Sequence, residues 1–166
     1  MLLIRHDSSQ ELFYVNAHVA RPPSPVSKHG IRGQLVQRLF TKVNNDENFD
    51  QFDVPGFKAS GVATIWFENA GTRMCINATI KGYDPLIAHI HRGVPRKNGV
   101  LVANLSAQRV AARRYLGCAP FSSLGVTNSH LADNVLANPS NYYIQFHLDD
   151  VDSGLFNYAI RGQFGD

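Results

Sequence analysis

"AIRGQF", residues Ala159 to Phe164, repeats an earlier stretch of the same chain, "GIRGQL", residues Gly30 to Leu35. Counted from Ile31 to Ile160 the two copies are 160 − 31 = 129 residues apart, and the same offset carries His18 onto His147 without a gap. In this register "FYVNAH" (Phe13 to His18) lies on "YYIQFH" (Tyr142 to His147). Apolar residues alternate in both: Phe13, Val15, Ala17 and Val19 in one, Tyr142, Ile144, Phe146 and Leu148 in the other. Period-two alternation is the signature of a half-buried strand. Each copy therefore reads as a strand, a turn-rich connection ("RPPSPVSKHG" or "DDVDSG") and a second strand, which is a β-hairpin with a long loop. The chain is read as one complete domain preceded by an extra copy of its closing hairpin.

Composition agrees with a β-rich fold. The 166 residues are 44% hydrophobic, enough for one sizeable core, and only 17% charged. Thirteen glycines and eight prolines suit many short strands joined by turns. The net charge of +3 is scattered, and its densest group, Arg109, Arg113 and Arg114, has no ladder of aromatics on which bases could stack. Nucleic acid is therefore not an expected partner. No apolar run reaches the roughly 18 residues of a membrane span, and "MLLIRH" is too short for a secretory signal. Cys75 and Cys118 permit one disulfide without establishing it. Two sequons, Asn77-Ala78-Thr79 and Asn104-Leu105-Ser106, lean toward the secretory route.

The organisation follows from these patterns. Residues 1–10 read as a frayed terminus, 11–40 as the extra hairpin, 41–56 as a polar linker and 57–166 as the main domain. Strands are expected over Gly61–Glu68, Arg73–Ile80, Leu86–Gly93 and Asn98–Leu105, the last apolar on both faces. In the second, Met74, Ile76, Ala78 and Ile80 face inward and Cys75 points the other way. Two short helices are expected, one capped by Ser106 and stopped by Gly117, the other within Thr127–Asn138.

Three motifs, "AHIHRGVPRKNG" (Ala88 to Gly99), "NPSNYYIQFH" (Asn138 to His147) and "AIRGQF", in this order and at these gaps, resemble the CHRD domain, the repeat first recognised in chordin. The resemblance covers roughly Ala59 to Gly165. It implies an all-β immunoglobulin-like or Greek-key sandwich or barrel, with one or two short helices, in an extracytoplasmic setting. It also implies a Cys75–Cys118 disulfide, since many members carry cysteines at these places, and makes residues 11–40 the tail of a preceding copy. Two strands alone are marginal in water, so the hairpin is expected to pack in its own chain, as a monomer, or to exchange into a hairpin-swapped dimer.

Any chemistry is expected at the histidines. His89 and His91, two apart on one strand, project from one face, and His147 shares the polar side of its strand with Tyr143 and Gln145. Three imidazoles suit copper or zinc, with His18 a weaker fourth candidate. The alternative is that they are hydrogen-bonded residues that orient the loop after His91, with His147 tied to a carbonyl across the sheet. Arg161 faces the polar side with Gln163, and its fork can hold Asp149, Asp150 or loop carbonyls, or else bind an anionic ligand together with Tyr143 and Gln145. Asp149, Asp150 and Asp152 read as turn residues, with calcium as the alternative. Tyr83, Asp84 and Trp66 are candidates to line a pocket beside the His strand.

Three functions follow. The first is a CHRD-like module that binds a protein, glycan or small-molecule partner. The second is a copper or zinc protein or enzyme using His89, His91 and His147. The third is a metal-free isomerase or cyclase pairing a histidine with a carboxylate such as Asp84. Phosphate loops, G-x-S-x-G elbows and C-x-x-C pairs are absent from the sequence.

Overall fold

The computed structural model describes residues 2–7, 12–18, 30–34, 37–44, 57–148 and 159–165. The chain divides into two units, Met1–Gln37 and Arg38–Asp166. The first is a three-stranded antiparallel sheet of β1 (Leu2–Asp7), β2 (Leu12–His18) and β3 (Gly30–Gln34), in the order β1-β2-β3. The terminus expected to fray is a strand over Leu2–Asp7, each residue of which pairs with β2 between Leu12 and Ala17. The connection over 21–29 and the linker segment 45–56 lie outside the described residues.

The second unit carries nine antiparallel strands. They are β4 (Arg38–Asn44), β5 (Ser60–Glu68), β6 (Arg73–Lys81), β7 (Ile87–Arg92), β8 (Val100–Asn104), β9 (Arg109–Ala111), β10 (Arg114–Pro120), β11 (Tyr142–His147) and β12 (Ala159–Gln163). Their order is β8-β7-β11-β12-β4-β5-β6-β10-β9. The two outermost strands, β8 and β9, are consecutive in sequence and joined only through Leu105 and a 3-10 turn at Ser106–Gln108. A sheet whose edges are linked by so short a connection must curl until they come close, and this one rolls into a β-sandwich. Across the interior the Tyr115 ring lies 5.2 Å from that of Phe146, and its hydroxyl donates to the Pro85 carbonyl at 2.9 Å.

Alternation builds the core. On β5, Ala63, Ile65 and Phe67 are buried, and on β6 Met74, Ile76, Ala78 and Ile80, as their spacing predicts. Together with Ile90, Tyr115, Ile144, Phe146, Ile160 and Phe164 they form one apolar cluster. On the opposite side of β6, Cys75 sits directly across from Cys118 of β10, and the two are joined as a disulfide.

Two boundaries differ from the sequence reading. Residues Arg38–Asn44, read as the end of the hairpin and the start of a polar linker, form β4, with Leu39, Thr41 and Val43 buried between the polar or exposed positions. Of the two expected helices, α1 (Leu131–Ala137) is present. The other is not. Beyond the 3-10 turn, Arg109–Ala111 and Arg114–Pro120 are strands, turned at Arg113 in the left-handed region (φ 59°). Pairing of Arg114–Pro120 along β6 overrides the helical propensity of the alanines and arginines.

Gly162 shows how tightly β12 meets β4. Any Cβ at this position would fall against the Lys42 carbonyl oxygen and Thr41 Oγ1. We predict that Gly162→Ala lowers the unfolding free energy by about 1–3 kcal/mol, measured by urea denaturation. The same substitution at exposed Gly125, which has open space but a positive φ of 69°, is expected to cost about 1 kcal/mol.

Candidate functional site

The sheet register brings the three sequence motifs to one place. Tyr143 of β11 lies between His91 of β7 and Gln163 of β12, and in the next row Gln145 lies between His89 and Arg161. His147 follows, between Ile87 and Ala159. One side of three adjacent strands therefore carries three histidines, a tyrosine, two glutamines and an arginine. Alternation alone makes this the solvent face. It is instead covered: Arg161 is 1% exposed, Gln163 1%, Tyr143 2% and His147 5%.

The cover is the loop from Gly93 to Gly99, and Arg161 holds it. Its Nη1 donates to the Lys97 carbonyl at 2.9 Å, and its Nη2 to the Val94 carbonyl at 2.8 Å and to Gln163 Oε1 at 2.7 Å. The guanidinium lies 3.4 Å from the centroid of the Tyr143 ring, a cation–π contact in a desolvated setting. Among the described residues the acceptors it contacts are these loop carbonyls and Gln163; Asp149, Asp150 and Asp152, with their turn and calcium readings, lie outside the described residues. Gln163 extends the clamp, its Nε2 donating to the carbonyls of Gly93, Ser140 and Tyr142. Tyr143 Oη accepts the Gly99 amide at 3.0 Å, and the Gly93 amide donates to Asn141. A turn from the Lys97 amide to the Val94 carbonyl closes the loop. At its base a Cβ on Gly99 would fall against the Arg92 carbonyl, so only glycine lets the two ends approach.

Of the histidines, His91 contacts the loop. His91 stacks on Tyr143, with centroids 5.0 Å apart and planes 5° from parallel, and its Nδ1 donates to the Gly99 carbonyl at 3.1 Å. Because a carbonyl can only accept, this bond places the proton on Nδ1 and leaves a bare lone pair on Nε2, which is buried without a partner. Burial pushes the His91 pKa below the usual histidine value; the Gly99 carbonyl opposes the shift, and the charges of His147 and Arg161 add to it. His147 Nε2 and His89 Nδ1 share a hydrogen bond of 3.2 Å. Their facing nitrogens are thus directed at each other, and among the described residues the three imidazoles do not converge as a ligand set for copper or zinc. The trio that does bring ligand atoms together, Glu68 with Cys75 and Cys118, has both sulfurs bonded to each other. His18 lies in β2 opposite Gly30, and its side chain is outside the described residues.

The remaining candidates have structural partners elsewhere. Asp84 accepts from Arg109 Nη2 at 2.7 Å and from the Arg113 amide at 2.6 Å. The Tyr83 hydroxyl donates to the Phe146 carbonyl, and burial raises its pKa far above the tyrosine range. Trp66 lies on β5 under the Arg38 guanidinium and donates to Glu68. Arg114 is engaged by Asn77, Thr79 and the Ala78 carbonyl. A groove of about 410 Å³ is lined by Leu101, Val102, Ala103, Asn104, Ala107, Ser123, Leu124 and Gly125, none of them titratable. Sequence reasoning placed Arg161 and Gln163 on one face but had no signal for the carbonyls they hold, because backbone acceptors carry no residue signature.

The CHRD domain family model matches residues 44–164, well over half of the chain, and the chain belongs to that family. No curated protein and no solved structure gives a match.

The depressed His91 pKa has a consequence for stability. Between the folded and unfolded pKa values the unfolded chain binds more protons, so stability is complete above the ordinary histidine value of about 6.5 and falls as pH drops below it. Thermal unfolding from pH 7.5 to 5 is expected to show this decline. In His91→Phe, which stacks on Tyr143 but does not titrate, the slope is expected to be shallower.

Proposed function

We propose that this CHRD-family chain is a recognition module of the extracytoplasmic space that meets an anionic protein or glycan with the Gly93–Gly99 loop. The observation that carries the reading is the clamp: a fully buried arginine and glutamine are used to fix the carbonyls of one surface loop. That loop and its approach carry the exposed cations Arg92, Arg96 and Lys97 with exposed Val94 and Pro95. A loop fixed before binding loses little entropy on association, and clustered cations steer an anionic partner. The extracytoplasmic setting is supported by family membership and by the Cys75–Cys118 disulfide. No helix among the described residues is long and apolar enough to cross a membrane.

The pair β2 and β3, Leu12–His18 and Gly30–Gln34, belongs to the same proposal as an extra copy of the closing hairpin. The support is register. Tyr14 faces Gln34 and His18 faces Gly30 on β2 and β3, while Tyr143 faces Gln163 and His147 faces Ala159 on β11 and β12, with the 129-residue offset preserved at every pair.

The test is binding of the full chain to immobilised sulfated polysaccharide and to an acidic protein, beside Arg92→Glu/Arg96→Glu/Lys97→Glu. The expected result is a loss of about tenfold or more in affinity for one of the two, with a strong dependence on salt. Binding that survives charge reversal, or that neither surface supports, counts against the loop as the recognition element.

A further inference from the structure

We propose that Asn104 is an N-glycosylation site whose glycan covers the exposed edge of the sheet. The inference rests on the extracytoplasmic reading but not on the basic loop. Asn104-Leu105-Ser106 is a sequon at the end of β8, one of the two outermost strands of the sheet. Leu105 is fully buried and anchors the segment, while Asn104 is exposed. Its Oδ1 accepts the Ser106 amide at 2.9 Å, and among the described residues Nδ2 has no hydrogen-bond partner. Ser106 Oγ accepts the Ala88 amide at 3.2 Å, so in both sequons the asparagine oxygen and the hydroxyl are engaged, and the other sequon differs in its place in the sheet. Asn77 lies mid-strand on β6, between β5 and β10, with its Oδ1 and the Thr79 hydroxyl both bound by Arg114.

The surroundings of Asn104 supply the second observation. An open edge strand offers unpaired backbone groups to another chain, and such edges are ordinarily guarded by charge, proline or a cover. Here β8 carries Val100, 57% exposed, and Leu101, 53% exposed, and no charged residue. It also borders the 410 Å³ groove against the 3-10 turn Phe121–Leu124, and Asn104 itself lines that groove. A glycan on Nδ2 starts at the rim of the groove that Asn104 lines and shields the apolar edge.

The transfer is a substitution at an anomeric carbon. A lipid-pyrophosphate-linked oligosaccharide is the donor; Nδ2 bonds to its C1, the C1–O bond to pyrophosphate breaks, the lipid pyrophosphate leaves, and Nδ2 releases one proton.

The full chain, directed by a secretory leader through a eukaryotic cell, is collected from the medium and mapped by glycopeptide mass spectrometry, beside Asn104→Gln, Ser106→Ala and Asn77→Gln. The expected result is a glycan on Asn104 in the wild type and in Asn77→Gln, lost in both other variants. An unmodified Asn104 in the secreted protein overturns the site. The state of Cys75 and Cys118 is read in the same sample; reduced thiols there count against the extracytoplasmic reading independently of the glycan. Enzymatic removal of the glycan from the folded protein is expected to strengthen self-association by about tenfold in sedimentation, as an uncovered edge requires. Unchanged self-association overturns the shielding role.

Discussion

Arg161, 1% exposed, sits where two neighbouring strands meet one loop, and it ties that loop to the sheet. Taking a cation out of water is tolerable only when its donors find acceptors. The two terminal nitrogens of Arg161 find them in the carbonyls of Val94 and Lys97 and in Gln163, with the face of Tyr143 against the guanidinium. The requirement is mutual, since loop carbonyls drawn over a covered sheet face need donors in turn. This explains why the three motifs that mark the family lie far apart in sequence: the loop supplies acceptors, "NPSNYYIQFH" the platform, and "AIRGQF" the donors.

The geometry that permits the clamp is set by the curled sheet. Because the edge strands β8 and β9 are joined by a single short turn, the sheet rolls, and its concave side is filled by Ile65, Ile76, Ile90, Tyr115 and Phe146. Gly162, next to Arg161, lets β4 close on β12 without a side chain between them. Elsewhere the Cys75–Cys118 bond ties β6 to β10 across a sequence separation of 43, a covalent restraint on the unfolded chain.

Strand alternation was legible where one face meets the core. Met74, Ile76, Ala78 and Ile80 could be assigned from spacing alone, and the family resemblance supplied the sandwich. The region Ser106–Gly117 was misread because its alanines and arginines favour a helix locally, while pairing with β6 is a long-range effect that no local window reports. On β11 the alternation was legible, but a loop covering its polar side cannot be inferred from period. The histidines illustrate the same limit. Two imidazoles on one strand and a third on its neighbour fit a metal set by spacing, yet the register directs His147 at His89 and ties His91 to Gly99.

Functionally, the clamp separates what must be rigid from what is displayed. The buried side of the loop is fixed by Arg161, Gln163, Tyr143 and His91, and its outer side is left to Arg96 and Lys97, with Arg92 beside them. The most direct test is amide hydrogen exchange in Arg161→Lys, which keeps the charge and loses the fork. If Arg161 fixes the loop, the Gly93, Lys97 and Gly99 amides exchange at least about tenfold faster than in the wild type, corresponding to about 1.4 kcal/mol of local stability, while β5 and β6 amides are unchanged. Loop amides that stay protected, or that lose protection only together with β5 and β6, would contradict the account.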